Sequence, residues 1–190
     1  MSLTKQAKIL SAAQQNTILT HLSTSRQARR NTVMFLLTVD SGLRAKEVAE
    51  LTWSMITDGE GQLTDRICLE NSVAKGKSGG VIYMSNRLRR AIADHAAGGS
   101  MADTVIKSQK GGPMTAQSVT NWYHQLYRKL GFEGCSGHSG RRTAITTWAR
   151  KIHGVGGSMR DVQSLARHSS LQMTMRYIEI SEDACRKVVG

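Results

Sequence analysis

Four short segments of this chain carry side chains whose types and spacing suit chemistry on a phosphate group. In Gly42-Leu43-Arg44-Ala45-Lys46-Glu47 an arginine follows a glycine turn near a helix start, where its guanidinium can be aimed at an anion. Glu47, three residues on, is placed to hold that arginine or to shape its helix. In Ala74-Lys75-Gly76-Lys77-Ser78-Gly79-Gly80 two lysines stand on a Gly-rich turn between strand candidates, able to set an ammonium against a phosphate or a leaving oxygen. It is not a P-loop, because GxxxxGKS/T is absent and no βαβ unit surrounds it. In His138-Ser139-Gly140-Arg141-Arg142-Thr143 helical spacing puts His138 and Arg141 on one face, able to grip one anion together, with Ser139 placed to cap the helix. In Leu165-Ala166-Arg167-His168-Ser169-Ser170 and the following Leu171–Tyr177, the reading places His168 at the end of one helix and Tyr177 on the next. Phenol and imidazole could then converge across the bend. Taken singly, each segment has an ordinary reading: a charged helical turn, a soluble hairpin, a local His/Arg pair, a tyrosine packed between helices.

The elements that must position these residues are legible from periodicity. Helices are expected at Ser11–Leu22, Arg26–Val39, Ala45–Leu51, Asn86–Ala97, Thr115–Leu130, Ser139–Ile152, Met159–Ala166 and Leu171–Ile178, with a short final one at Glu182–Val188. Between Trp53 and Met84 the pattern changes to β-formers: Trp53–Ile56, Arg66–Leu69 and Val81–Met84, separated by DGEGQLTD and AKGKSGG. The predicted fold is α+β and mainly helical, with one small three-stranded antiparallel sheet. No internal repeat or clear linker divides it.

Composition sets the partner class. The 190 residues are 39% hydrophobic and 21% charged with a single proline, which suits a chain that buries a core and excludes a disordered or collagen-like one. No stretch approaches a membrane span, and the N-terminus lacks a signal-peptide core. Three scattered cysteines form no CxxC pair and read as reduced thiols, neither a disulfide framework nor a zinc site. The formal net charge is +12, with an excess of +5 over residues 1–100 and +7 over residues 101–190. Positive charge spread along a folded chain points to a polyanion, usually nucleic acid.

Order and combination decide between the separate readings. An Arg, a hairpin Lys, HxxR, a His and then a Tyr nine residues on together resemble the tyrosine recombinase (phage integrase) family, through GLRAKE, AKGKSGG, HSGRRT and ARHSSLQMTMRY. The match runs from about Leu22 to Tyr177. Two local departures stand out: the residue before the His is often Gly in the family and is Arg167 here, and the HxxR interior, often acidic–Leu, is Ser139-Gly140. Many relatives also carry a helical core-binding domain ahead of the catalytic one. This chain starts almost at the catalytic domain, so residues 1–190 are expected to be a single catalytic domain, naturally minimal or a piece of a longer protein.

The resemblance implies the fold of that catalytic domain and a reaction that needs no metal and no ATP. Tyr177 would attack phosphorus to give a 3′-phosphotyrosine and a free 5′-hydroxyl. Arg44 and Arg141 would hold the equatorial oxygens, and His138 and His168 would add donors or move protons. Lys75 would protonate the leaving oxygen, with Lys77 left open as the alternative, and Glu47 would give support. Lys77, Arg142, Arg167 and Arg176 are further candidate DNA contacts. Arg26, Arg29, Arg30, Lys107, Lys110, Arg128 and Lys129 are expected to meet backbone phosphates. The implied partners are double-stranded DNA sites, a homotetramer on DNA and an accessory DNA-bending protein. The expected compartment is the cytoplasm, at a nucleoid or in a phage-infected cell. A catalytically silent DNA-binding regulator, and a type IB topoisomerase or telomere-resolvase-like strand transferase, are the alternatives.

Overall fold

A computed structural model describes residues 6–74, 79–96, 103–178 and 182–189. Its contacts divide the chain into two compact units, 1–144 and 145–190. In the first, helices α1 (Ala12–Ser23), α2 (Ala28–Val39), α3 (Ala45–Glu50), α4 (Asn86–His95) and α5 (Ala116–Lys129) surround one apolar core. Helix α2 is its centre: Val33, Met34, Phe35, Leu36, Leu37 and Val39 are all buried, and α1, α3 and α4 pack on it. Ser11, Ser85 and Thr115 each accept a hydrogen bond from the third residue of the helix they precede, and so cap α1, α4 and α5.

The sheet has two strands among the described residues, not the three expected: β1 (Arg66–Leu69) and β2 (Gly80–Tyr83), antiparallel with Arg66 opposite Tyr83. The missing strand, Trp53–Ile56, begins as a 3-10 turn over Trp53–Met55, closed by Ile56 N–H donating to the Trp53 carbonyl. Burial gives the reason. Trp53, Met55 and Ile56 all face the core, which a strand, sending neighbours to opposite faces, could not achieve for Met55 and Ile56.

Helix α6 (Ser139–Ile152) begins in the first unit and continues into the second. Its first turn is fastened by the N-terminal segment: Leu10 N–H donates to Thr143 Oγ1 at 2.8 Å, and Arg142 donates to the Ala7 carbonyl at 3.0 Å. The second unit has its own small core of Ile145, Ala149, Val162 and Ala166, with Trp148, Ile152, Met159, Tyr177 and Ile178 against it. It contains α7 (Met159–Ala166), α8 (Leu171–Met175), which packs on α7, and α9 (Glu182–Val189). The expected helix Leu171–Ile178 therefore stops early, and Tyr177 lies just past its end. No helix among the described residues is long and apolar enough to cross a membrane.

Candidate active site

In the first unit the site is built around one turn. Gly42, at φ 62, occupies the left-handed region that a side chain would strain, and it carries the chain from α2 into α3. Arg44 follows as the residue preceding α3. Glu47 is fully buried and binds Arg44 twice, accepting from its backbone N–H at 2.8 Å and from Nη1 at 2.8 Å. One carboxylate thus caps the helix and fixes the direction of the guanidinium, which keeps about a fifth of its surface exposed. The support role expected of Glu47 has this physical form.

Arg141 reaches the same turn from far along the chain. Its Nη1 donates to the Gly42 carbonyl across 99 residues of sequence, and the side chain is buried to 3% exposure. Two arginines from distant segments are therefore tied to Gly42–Arg44. His138 is exposed at the start of α6, where its carbonyl accepts from Arg142 N–H. Ser139 does not cap α6. It lies inside the helix, fully buried, and its Oγ accepts from the Ser136 N–H at 2.9 Å. The hairpin lysines Lys75 and Lys77 lie outside the described residues.

In the second unit, His168 is buried and Tyr177 is half-buried, their rings stacked with centroids 5.2 Å apart and planes 29° from parallel. His168 Nδ1 lies 3.0 Å from Thr174 Oγ1. Thr146 on α6 donates to the Tyr177 carbonyl at 2.8 Å, and Tyr177 N–H donates to the Thr174 carbonyl, so the backbone beneath the phenol is held on both sides. Of the four tyrosines, Tyr123 and Tyr127 belong to the core of the first unit, where burial pushes both phenols well above their ordinary range. Tyr83 stands exposed on β2.

Among the other basic residues, Arg26, Arg29, Lys110, Arg128, Lys129 and Arg176 are exposed. Arg30 is not. It is buried in a structural network with Asn31 Oδ1 and the Lys107 carbonyl, so the expected backbone-phosphate role gives way to joining α2 to the 103–108 segment. Arg142 is half-buried against the N-terminal segment, and Arg167 is buried.

The sequence profile of the phage integrase family matches residues 8–183. The chain belongs to the phage integrase family. No curated protein shows significant sequence similarity to it. Solved structures match in fold: the Tn1549 transposon integrase in complex with a circular intermediate DNA, at a TM-score of 0.73 and 20% identity, covers 98% of this chain and 66% of that one. The XerA recombinase matches at a TM-score of 0.72 and 19% identity over 95% of this chain and 63% of that one. A lambda integrase dimer bound to a COC′ core site matches at 0.64 and 19% identity, over 92% and 60%. The chain thus spans just under two thirds of the length of these structures, and it has the catalytic-domain fold of the tyrosine recombinases, mainly helical with a small antiparallel sheet.

Both departures from the integrase motifs have a visible cause or consequence. Arg167 takes φ 52 and ψ 48 at the end of α7, a left-handed position that glycine fills without strain, and its N–H still closes the helix onto Gln163 and Ser164. Gly140 lies so close to α2 that a Cβ there would sit 2.3 Å from Thr38 Oγ1. The small residue lets the first turn of α6, and with it Arg141, approach the Gly42 turn. Sequence reasoning singled out neither Thr174 nor Thr38. The signal for Thr174 is an inversion within α8: Leu171, Met173 and Met175 are exposed while the threonine is fully buried.

Proposed function

We propose that this chain is a site-specific DNA recombinase that cleaves and rejoins DNA strands through a 3′-phosphotyrosine at Tyr177. The observation that carries the reading is the tie of Arg141 to the turn that holds Arg44, which gives one short stretch of backbone two guanidinium groups. Such a pair supplies forked, charge-assisted hydrogen bonds to the non-bridging oxygens of a phosphodiester, whose charge rises in the pentacoordinate transition state.

In this reading Tyr177 reacts as its phenolate, favoured by the clustered cations and formed by loss of the phenol proton to solvent, and its Oη forms a bond to phosphorus as the bond to the 5′-oxygen breaks. Lys75 gives that oxygen its proton, Lys77 being the other hairpin candidate. The phosphoester stored on Tyr177 is then attacked by a 5′-hydroxyl, so strands rejoin without an external energy source. His138 and His168 contribute donors to the phosphate, and Arg142, Arg167 and Arg176 belong to the DNA-binding set, Arg176 by direct exposure. Residues 1–190 act as one catalytic domain in the cytoplasm. Double-stranded recombination sites are the substrate, four copies assemble on DNA, and an accessory DNA-bending protein assists. The exposed valines of α9, Val188 and Val189, suit packing on a neighbouring copy within that assembly.

The test needs no known target. The protein is mixed with fragmented genomic DNA without metal or ATP, denatured in detergent, and assayed for protein-linked DNA. An adduct that disappears in Tyr177→Phe, while DNA binding persists, supports the reading, and sequencing the trapped ends gives the site. Absence of an adduct on nicked, pre-bent DNA as well, with binding intact, overturns it in favour of a DNA-binding regulator.

A further inference from the structure

Thr174 is the one fully buried residue of α8, and it is polar. Among the described residues its hydroxyl has one hydrogen-bond partner, His168 Nδ1, at 3.0 Å. A hydroxyl carries one proton to donate and two lone pairs that can stay idle at smaller cost, and a buried donor left without an acceptor is the more expensive omission. With zero exposure, Thr174 has no bulk solvent to take its proton. The threonine proton must therefore point at Nδ1, which can accept it only as the unprotonated nitrogen of a neutral imidazole. The ring proton then resides on Nε2.

We propose that Thr174 is a positioning residue that locks His168 into the Nε2–H tautomer, making it a hydrogen-bond donor rather than a base. Resting on the recombinase reading above, this deepens it: His168 offers a proton to a phosphate oxygen and does not accept one from Tyr177. The backbone supports the same arrangement from both ends. Gln163 Nε2 donates to the His168 carbonyl at 3.1 Å, and α8 is fixed where it meets Tyr177 by the N–H of Tyr177 on the Thr174 carbonyl. The imidazole also packs on the Tyr177 phenol, with ring centroids 5.2 Å apart.

The test reads the tautomer directly. The full chain is labelled with nitrogen-15 histidine, the resonances of the six histidines are recorded by long-range proton–nitrogen correlation, and His168 is assigned by its loss in His168→Gln. The wild type should show His168 with an acceptor-type Nδ1 and a protonated Nε2 at neutral pH. Thr174→Val, nearly the same shape without the hydroxyl, should lose the single tautomer, and Thr174→Ser should restore it. Adduct formation with Tyr177 intact should fall by about 10–100-fold in the Val variant and recover in the Ser variant. A wild-type spectrum with the proton on Nδ1, or a Val variant that keeps the wild-type tautomer, overturns the proposal. The wild-type measurement stands even if the Val variant does not fold. A correct tautomer with no Tyr177 adduct in the wild type supports the Thr174 assignment and counts against the recombinase reading alone.

Discussion

Replacing a helical glycine by alanine ordinarily stabilises a protein, and at Gly140 the sign should reverse. The usual gain is at most about 1 kcal/mol, from the smaller backbone entropy of the unfolded chain. Here the added methyl would sit 2.3 Å from Thr38 Oγ1, 2.8 Å from Thr38 Cβ and 3.4 Å from its carbonyl carbon. Thr38 is fully buried, and its hydroxyl already donates to the Phe35 carbonyl at 2.9 Å, so it has no room to turn away. Overpacking of this kind costs about 2–3 kcal/mol, leaving Gly140→Ala less stable by about 1–2 kcal/mol. Urea unfolding measures it, with Gly59→Ala as control, since a methyl at Gly59 meets nothing within 4 Å. In a Thr38→Ala background the penalty should shrink without vanishing, because Cβ of residue 38 remains, and the coupling should be about 1 kcal/mol. The substitution also moves Arg141, one residue on, and a displacement near 1 Å should slow cleavage by about a hundredfold. A Gly140→Ala chain as stable as wild type, or more so, would refute the close-packing account of this motif.

Other consequences can be checked with the same protein. Glu47→Ala removes both a helix cap and the carboxylate that pairs with Arg44; with the acid fully buried and the arginine partly exposed, a loss of about 2–3 kcal/mol in urea midpoint analysis is expected. Arg141→Ala should lower the cleavage rate constant by about 2.7–4 kcal/mol in activation free energy, measured as single-turnover adduct formation, and wild-type cleavage would sink the clamp. Ultraviolet titration should leave Tyr123 and Tyr127 protonated through the ordinary phenol range, because burial raises both. Since the unfolded phenols ionise near pH 10, these two stabilise the fold below that pH, and the stabilisation is lost as pH rises further; alkaline unfolding and the delayed absorbance change should coincide. DNA affinity should fall steeply and log-linearly with salt, and a binding curve flat between low and moderate salt would exclude phosphate contacts by the exposed arginines and lysines.

The local features of this chain were readable in advance because their causes are local. Helical periodicity placed α6 and α7 at their observed bounds and most other helices to within a residue or two. The Arg44–Glu47 pairing follows from three-residue helical spacing, and the family follows from residue types in a fixed order. Trp53–Ile56 failed as a strand because its β-forming composition says nothing about which neighbours bury it. Arg30 failed as a surface cation because its polar partner Lys107 arrives from 77 residues away.

Residue type and spacing alone thus determined the elements, the positive charge and the candidate site residues, since each depends on interactions within a few residues along the chain. Tertiary structure decided that Arg141 bonds the Gly42 turn, that Leu10 holds Thr143, that Tyr123 donates to the Met34 carbonyl and is a core residue, and that Thr174 faces His168 instead of water. Three of those bonds join residues separated by 99, 133 and 89 positions. Their formation depends on which surfaces the folded core excludes from water, and a buried donor or acceptor then takes whatever partner the packing has brought within reach.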